Sequence, residues 1–480
     1  MDSLADMNAR LRRIFRGEEQ YGEGHPAEQA RRFRLAELLP ATIEHARRNS
    51  AKVHRPPVDL LVSLSGFSPE TTILAFTLVG AKRLMVVGSD STRASVDVIH
   101  EKLGLPISLI DTRYVDPVDP MKIYQVIREA AASSGGVRPH VIIDITGGKK
   151  VMSASAALAA AQLDLPLCYI DSRFDPELRQ SEPGSERLVI VPNPTELFGD
   201  RETAAALVAF RHGAYGAART RFEEVANSAF EPARARFMRD LSIVYQAWCD
   251  LDFNALRASV PVLRARLTDP GHRVAHDVAQ RLNAQLDLLD VLANAPDKQR
   301  DIPPLLLNFY LLGLHYARLG RHDFAALLFY RTVESAVAQR LAIVGPGFRT
   351  GKPDYRLLHD DPEVLLARLK SLTADVHGQA TTELPFEVGV MNGILLLCAL
   401  DDRMVKRLGF TTTKALRRVK NELLARNHSV LAHGTETVSE DVREALQSLA
   451  LRCLRAFWSL AFPGENVDKR LALLEFVVDV

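Results

Sequence analysis

The fold of this chain is decided by a stretch near its beginning, residues 58–79, which reads VDLLVSLSGFSPETTILAFTLV. Its first seven residues are mostly apolar, as in a buried strand. A polar turn with Gly66 follows, and Pro69 suits the first position of a helix because an N–H there would have no intrahelical partner. The stretch therefore predicts a strand, a tight polar turn and a helix.

The same unit recurs up to about residue 190. We predict strands at residues 58–64, 84–87, 107–110, 140–145 and 167–170, helices at 69–79, 93–103, 121–132 and 150–162, and an edge strand at 187–191. Strands that alternate with helices at this spacing are typical of a parallel sheet covered on both faces. We expect an α/β, Rossmann-like domain here.

The chain from about residue 200 onwards has amphipathic helices broken by short turns and lacks strand signals, which predicts an all-α half. Turns near Tyr215, Phe253 and Phe324 resemble those of helical-hairpin repeats, but their unequal separations exclude a constant period. We expect four parts: N-terminal helices packed on the sheet domain (1–55), the Rossmann-like domain (56–198), a helical linker with repeat-like hairpins (199–300) and a C-terminal helical domain (301–480).

Composition indicates a folded protein of several domains. The chain has 480 residues, of which 47% are hydrophobic and 25% charged, with a formal net charge of +1. A net charge so close to zero argues against a protein that coats nucleic acid nonspecifically. Any contact with nucleic acid therefore has to be local. The four cysteines stand singly in apolar contexts, which predicts reduced core residues. Neither a signal-type segment nor a membrane-length apolar run is present, so we expect a cytoplasmic protein.

Two polar turns follow neighbouring strands and are candidates for a ligand site. The first is Ser65 to Thr72, and the second is Asp144 to Lys150, with the sequence Asp-Ile-Thr-Gly-Gly-Lys-Lys. Ligands of open parallel sheets bind where such turns gather, at the carboxyl ends of the strands. Two glycines, a helix N-terminus and lysines are suited to a phosphate group.

The alternative for each turn is an ordinary strand-to-helix connection with exposed lysines, which would be the better reading of a lone Gly-Gly-Lys. The second turn is not a Walker A motif, because no Gly stands five residues before Gly148 and no Ser or Thr follows the lysine. The first turn lacks GxGxxG, so a dinucleotide-dependent dehydrogenase is poorly supported.

The third candidate site is the segment around Arg426, Asn427 and His433, at the end of a helix-like run from residue 414 to 432. On a helix, residues seven apart point within roughly 20° of one another, so Arg426 and His433 would share a stripe that could hold and cleave a phosphodiester. His428 and His433 lack the i, i+4 spacing of a helical metal site, which favours metal-free chemistry. The alternative is a surface Arg and a His that interact with the end of a helix.

Together these motifs resemble one family. The turns at 65–69 and 144–150 are similar to the ligand loops of CARF domains, the Rossmann-like sensors of cyclic oligoadenylates in type III CRISPR defence. Arg426-Asn427 with His433 resembles the HEPN ribonuclease signature, an Arg, a polar residue and a His, with four to six residues between the Arg and the His; here the gap is six. CARF first and HEPN last is the layout of the CARF–HEPN ancillary ribonucleases of type III CRISPR systems.

The resemblance implies a homodimeric, metal-independent endoribonuclease that cleaves single-stranded RNA, leaves 2',3'-cyclic phosphate ends and has no DNA or membrane partner. It implies Arg426, Asn427 and His433 as catalytic residues and no cofactor. It also implies a cyclic oligoadenylate activator, with tetra-adenylate favoured over hexa-adenylate. The implied ligand-binding residues are Ser65, Gly66, Ser68, Thr71, Thr146, Gly147, Gly148, Lys149 and Lys150.

One departure from the family leaves two properties open. Many CARF loops place a Thr before the conserved lysine, where this chain has Lys149, so ring size and cleavage of the activator are undetermined. Two other functions also stay open from the sequence: a non-catalytic nucleotide sensor that binds a partner protein, and a HEPN toxin-like ribonuclease under different ligand control.

Overall fold

The computed structural model describes residues 3–54, 57–132, 140–191, 193, 198–269, 274–295, 302–425 and 437–479. The chain forms two compact units, residues 1–198 (unit 1) and residues 199–480 (unit 2).

Unit 1 begins with helices α1 (Leu4–Phe15), α2 (Pro26–Phe33) and α3 (Leu39–Asn49), with a π-helical turn between α2 and α3 at Arg34–Leu38. They pack on the rest of the unit through a small apolar core that contains Leu11, Phe33 and Leu178. Polar contacts add to it: Asn49 donates to the carbonyl oxygen of Glu186, and Leu188 N donates to Ser50 Oγ (2.8 Å).

The main sheet of unit 1 has six strands among the described residues. They are β1 (Leu60–Leu64), β2 (Arg83–Gly88), β3 (Ile110–Tyr114), β4 (Val141–Asp144), β5 (Leu167–Asp171) and β8 (Arg187–Val191), in the spatial order β3-β2-β1-β4-β5-β8. β8 alone is antiparallel, paired with β5 at the edge. The intervening helices are α4 (Pro69–Val79), α5 (Arg93–Leu103), α6 (Pro120–Ala131) and α7 (Lys150–Leu163). The predicted α/β class and the edge strand are confirmed.

Both faces of the sheet are covered, as expected for buried parallel strands. Along β1, Leu61 joins the core shared with α3, α4 and α5, whereas Leu60, Val62 and Leu64 join the core shared with α6 and α7. This alternation follows from the two-residue period of a strand.

The predicted strand at residues 107–110 is wrong. Residues Ile107–Leu109 form a 3₁₀ turn, closed by a hydrogen bond from Leu109 N to Pro106 O (2.8 Å), and the strand starts at Ile110. Gly104 ends α5 in the left-handed region at φ 56°, and Pro106 then fixes the turn that follows. A short hairpin of β6 (Phe174–Asp175) and β7 (Gln180–Ser181) was not predicted.

All the regular secondary structure among the described residues of unit 2 is helical. Its helices are α8 (Asp200–Arg211), α9 (Tyr215–Ser228), α10 (Ala233–Cys249), α11 (Phe253–Leu267), α12 (His276–Asn294), α13 (Pro303–Arg318), α14 (His322–Val344), α15 (Pro362–His377), α16 (Val390–Ala399), α17 (Arg403–Arg407), α18 (Thr413–Ala425), α19 (Glu440–Ala461) and α20 (Val467–Leu474). No helix in the described ranges is both long and apolar enough to cross a membrane.

One hydrophobic core runs through unit 2, from α8 to the C-terminal residues. Trp248 of α10 stacks on Phe476 (4.2 Å between ring centroids) and donates to Asn308 Oδ1 of α13 (2.6 Å). Tyr245 accepts a hydrogen bond from Val477 N (2.9 Å). The helices between residues 200 and 295 therefore share their core with the C-terminal helices.

Further observations concern single side chains. Arg331 and Glu334 form an ion pair within α14. His315 is buried against Phe476, and burial lowers its pKa to about 3, with Arg318 and Arg321 acting in the same direction, so the imidazole is a neutral core residue. Across the chain all four cysteines are free thiols, as predicted.

A buried ion pair fixes the start of α17. Arg340 of α14 donates to both carboxylate oxygens of Asp402, with Nη2 to Oδ2 at 2.7 Å, and Asp402 also caps α17 through Met404 N (2.8 Å). Removing one partner of such a pair leaves a buried charge unpaired, which is more costly than losing the attraction alone.

We predict that Arg340→Met lowers the free energy of unfolding of unit 2 by about 3–5 kcal/mol. Both tryptophans of the chain, Trp248 and Trp458, are buried in unit 2, so urea unfolding followed by tryptophan fluorescence reports on this unit. Arg331→Met, which removes the exposed ion pair of the same helix, is the matched control and should cost under about 1 kcal/mol. Equal losses in the two variants would contradict the role given to the buried pair.

Candidate functional site

The candidate ligand site lies at the carboxyl edge of the sheet. β1 and β4 are neighbours and parallel, so the loop from β1 to α4 (residues 65–68, the first loop) and the loop from β4 to α7 (residues 145–149, the second loop) leave the sheet side by side. This is the place where open parallel sheets bind ligands. The sequence-predicted residues of the two turns are therefore brought together.

The two loops touch through their glycines. A Cβ on Gly66 would lie 3.1 Å from Gly148 N, and a Cβ on Gly147 would lie 2.1 Å from Leu64 O. Gly148 has φ +78°, which other residues rarely adopt. Position 147 therefore requires glycine because the backbone of β1 passes against it, and this contact brings the loops together.

A buried chain of hydrogen bonds lies beneath the loops. Ser63 Oγ donates to Asp144 Oδ2 (2.6 Å), and Thr146 donates to Asp144 Oδ1 through both its N (3.0 Å) and its Oγ1 (2.5 Å). Thr146 Oγ1 in turn accepts from Ile170 N of β5 (2.8 Å). Since the proton of Ser63 is directed to Asp144, Thr72 of α4 is the donor in its 2.9 Å contact with Ser63 Oγ.

This chain links β1, β4, β5 and α4 in one network. Asp144 is fully buried, and desolvation raises the pKa of its carboxyl, an effect that the hydrogen bonds from Ser63 and Thr146 oppose. Thr146 uses its hydroxyl within the network, so it holds the second loop in shape.

Both helices that start at these loops direct their positive ends to the same edge. Neither N-cap residue, Ser68 of α4 or Lys149 of α7, forms a side-chain capping hydrogen bond within the described residues. Ser153 Oγ lies 3.1 Å from Ile145 O and 3.3 Å from Gly147 O, which holds these carbonyl groups at α7. Helix N-termini stabilise anions through their free N–H groups and the helix dipole.

The predicted ligand-binding residues differ in accessibility. Ser68, Lys149 and Lys150 are exposed, whereas Gly66, Thr71, Thr146, Gly147 and Gly148 are partly buried and Ser65 is buried. Thr71 Oγ1 donates to Ser68 O (3.0 Å) within the first turn of α4. The three exposed side chains, those of Ser68, Lys149 and Lys150, provide two positive charges and one hydroxyl that could contact an anion directly.

Sequence reasoning missed a third loop at this edge. The loop after β2 runs from Ser89 to Thr92. Within it, Ser89 N donates a hydrogen bond to Thr92 Oγ1 (2.9 Å). Next in the chain is Arg93, which lies over the Tyr114 ring at 4.2 Å and pairs with Asp90 (2.6 Å). The sequence contains a signal for this loop, because a polar run directly follows the predicted strand at 84–87.

The candidate ribonuclease residues Arg426, Asn427 and His433 lie outside the described residues, in the connection between α18 and α19. The structure describes both ends of this connection. On its C-terminal side, Val438 N donates to Asp323 Oδ1 in the first turn of α14 (3.1 Å), and Ser439 caps α19.

On the N-terminal side, α18 is fixed to two neighbours. Arg417 donates to Asp375 O near the end of α15 through Nε (2.9 Å) and Nη2 (2.6 Å). Glu422 accepts from Arg418 (2.9 Å) and faces Arg452 of α19 (3.8 Å). The connection that carries Arg426 and His433 thus starts and ends at fixed points of the helical core.

A cluster of metal-ligating side chains could place a metal ion at the candidate ligand site or at the candidate ribonuclease site. Among the residues that the structure describes, no group of three or more His, Cys, Asp or Glu side chains is placed to hold a metal ion.

Comparison with known proteins gives two matches by sequence. The family model described as the Csm6 HEPN domain matches residues 295–456, a range that includes Arg426, Asn427 and His433. The CRISPR system endoribonuclease Csm6 of Thermus thermophilus is 27% identical over 431 residues, which cover 84% of this chain and 87% of the relative.

Similar solved structures include the following two. Enterococcus italicus Csm6 bound to cyclic hexa-2'-fluoro-hexa-dAMP is 11% identical, with a TM-score of 0.48 over 87% of this chain and 97% of that chain. Can2 from Sulfobacillus thermosulfidooxidans in complex with cyclic tetra-adenylate is 14% identical, with a TM-score of 0.22 over 59% of this chain and 68% of that chain.

The sequence matches agree with the resemblance drawn from the motifs. Residues 295–456 of the helical half match the model of the Csm6 HEPN domain, and the similarity to a Csm6 enzyme extends along most of the chain. The protein is therefore an endoribonuclease, and it is similar to Csm6 both in residues 295–456 and along most of its length.

Proposed function

We propose that the protein is a metal-independent endoribonuclease of type III CRISPR antiviral defence that cleaves single-stranded RNA when a cyclic oligoadenylate binds unit 1. The observation that carries the proposal is the contact between the two glycine loops, which places two helix N-termini and two lysines at one sheet edge in a chain with a Csm6 HEPN domain.

The charge of the site supports a phosphate-rich ligand. Lys149 and Lys150 are exposed at the start of α7, and the N-termini of α4 and α7 add partial positive charge. A cyclic oligoadenylate presents several phosphates on a ring, so in a homodimer two copies of this edge could hold one ring across a twofold axis. Cyclic tetra-adenylate is our favoured activator.

Catalysis in unit 2 would be electrostatic and acid–base. The guanidinium of Arg426 would stabilise the pentacoordinate phosphate as the RNA 2'-OH attacks, His433 would help to transfer protons, and Asn427 would orient one of these groups. The products would carry 2',3'-cyclic phosphate ends. Because the residues at 428 and 433 lack helical metal-ligand spacing, the reaction should proceed without a metal ion.

A dimer would also complete the ribonuclease site. If residues 426–433 were helical, Arg426 and His433 would be separated by roughly 10 Å along the axis, a long span for a single phosphate. Two copies related by a twofold axis could bring both Arg–His pairs to one composite site. We propose one active site for each dimer.

The ligand assignment is tested by Lys149→Ala and Lys150→Ala. Each should weaken binding of cyclic tetra-adenylate about 10- to 100-fold, because each removes one charge-assisted contact to phosphate. Isothermal titration calorimetry measures the affinity. Lys82→Ala is the matched control. This exposed lysine stands just before β2, at the amino end of the strands and so away from the two loops. Wild-type affinity in both lysine variants would refute the assignment.

The ribonuclease assignment is tested by Arg426→Ala and His433→Ala. Each should abolish RNA cleavage and leave activator affinity unchanged, and the wild-type protein should remain active in EDTA.

A heterodimer of one wild-type and one doubly substituted subunit should lose far more than half of the activity. If it keeps about half, each subunit cleaves alone and the composite site is wrong.

A further inference from the structure

Phe67 is a large apolar side chain in the first loop, and it is 69% exposed. Single exposed apolar side chains are common on protein surfaces, so exposure alone carries no meaning. The position of this one is unusual, because the residue before it, Gly66, is packed against the second loop.

The backbone that carries Phe67 is fixed on both sides. Gly66 packs against the backbone of Gly148, and Pro69 is buried at the start of α4. Arg31 of α2 donates from Nη2 to the carbonyl oxygen of Phe67 itself (3.0 Å). The ring is thus held out to solvent by a preformed loop, and little conformational entropy would be lost when a ligand covers it.

A buried ion pair supports the same loop from beneath. Glu70, in the first turn of α4, lies 3.7 Å from Arg34 Nε, and both side chains are about nine-tenths buried. Arg34 also donates to Ser181 Oγ of β7 (2.7 Å). The start of α4 is therefore tied to the N-terminal helices and to the hairpin, which keeps Phe67 in place.

The surroundings of Phe67 are cationic. Gly148 is followed by Lys149 and Lys150, so an exposed aromatic ring and two exposed ammonium groups stand on adjoining loops. A nucleotide combines a phosphate, which suits the lysines and the helix N-termini, with a flat base, which stacks on aromatic side chains.

We propose that Phe67 stacks on an adenine base of the activator. This inference rests on the proposed function, and it adds a base-binding residue to a site otherwise described by its phosphate contacts. In a homodimer, each subunit would contribute one Phe67, so two bases of a ring would be stacked. The lysines would then recognise the phosphates, and Phe67 would favour nucleotides over other polyanions.

The first test compares Phe67→Ala with Phe67→Tyr by calorimetry, using cyclic tetra-adenylate and cyclic hexa-adenylate as probes. Phe67→Ala should weaken binding about tenfold to a hundredfold, the range found for loss of one stacked base. Phe67→Tyr keeps the aromatic ring and should bind like the wild type. Ile107→Ala is the matched control: Ile107 is 90% exposed, precedes β3 and lies towards the opposite edge of the sheet.

The second test uses Phe67→Trp. Trp248 and Trp458 are buried in unit 2, so the emission gained by this variant over the wild type comes from position 67. Stacking on adenine should quench the added emission when either ring is titrated, and inorganic phosphate should not quench it. Ile107→Trp should show no quenching with any of these probes.

Three outcomes would overturn the inference. They are wild-type affinity in Phe67→Ala, unquenched emission in Phe67→Trp at saturating ligand, and a change from dimer to monomer in Phe67→Ala by light scattering, which would make Phe67 a subunit contact. Failure of the proposed function is recognised separately, because in that case the wild-type protein itself would bind neither ring.

Discussion

The carboxyl group of Asp144 holds together the part of unit 1 on which the ligand site depends. It is fully buried, and it accepts from Ser63 of β1 and from Thr146 of the second loop. Thr146 Oγ1 in turn accepts a hydrogen bond from Ile170 N, which extends the network to β5. A buried carboxyl is tolerated only when its oxygens are satisfied, so the loops and strands around Asp144 are held in one arrangement.

The glycines above this network show how the fold and the site use the same residues. A side chain at position 147 would collide with the carbonyl oxygen of Leu64, and a Cβ on Gly66 would make a tight contact with the backbone of Gly148. These contacts are structural, yet they bring two helix N-termini, two lysines and Phe67 to adjoining positions. A substitution at Gly147 would disturb the loop itself, so the exposed lysines and Phe67 are the sharper probes of ligand binding.

Much of unit 1 could be predicted from sequence because its central strands are short apolar runs separated by polar turns. The strand at Ile110–Tyr114 was misplaced because β3 lies at the edge of the sheet, where the pattern Ile-Asp-Thr-Arg-Tyr is only partly buried. The two-residue strands β6 and β7 are too short to show a period. In unit 2, helical periodicity predicted the class, but it could not show that α8 to α12 share a core with the later helices.

The candidate site was predictable in its chemistry and less so in its contacts. The Gly-Gly-Lys-Lys run indicated a phosphate site, but only the folded chain shows that Thr146 is used internally and that Phe67 is exposed. The hydroxyl of Thr146 accepts from Ile170, and the carbonyl oxygen of Phe67 accepts from Arg31, and both partners are distant in sequence.

We propose that ligand binding at the sheet edge of unit 1 controls RNA cleavage in unit 2. The most direct measurement is the rate at which the purified protein cleaves a fluorescent single-stranded RNA, without ligand and with cyclic tri-, tetra- or hexa-adenylate. We predict slow cleavage without ligand and a steep, saturable increase with one of the rings, tetra-adenylate being favoured. The same rate in every condition would contradict it.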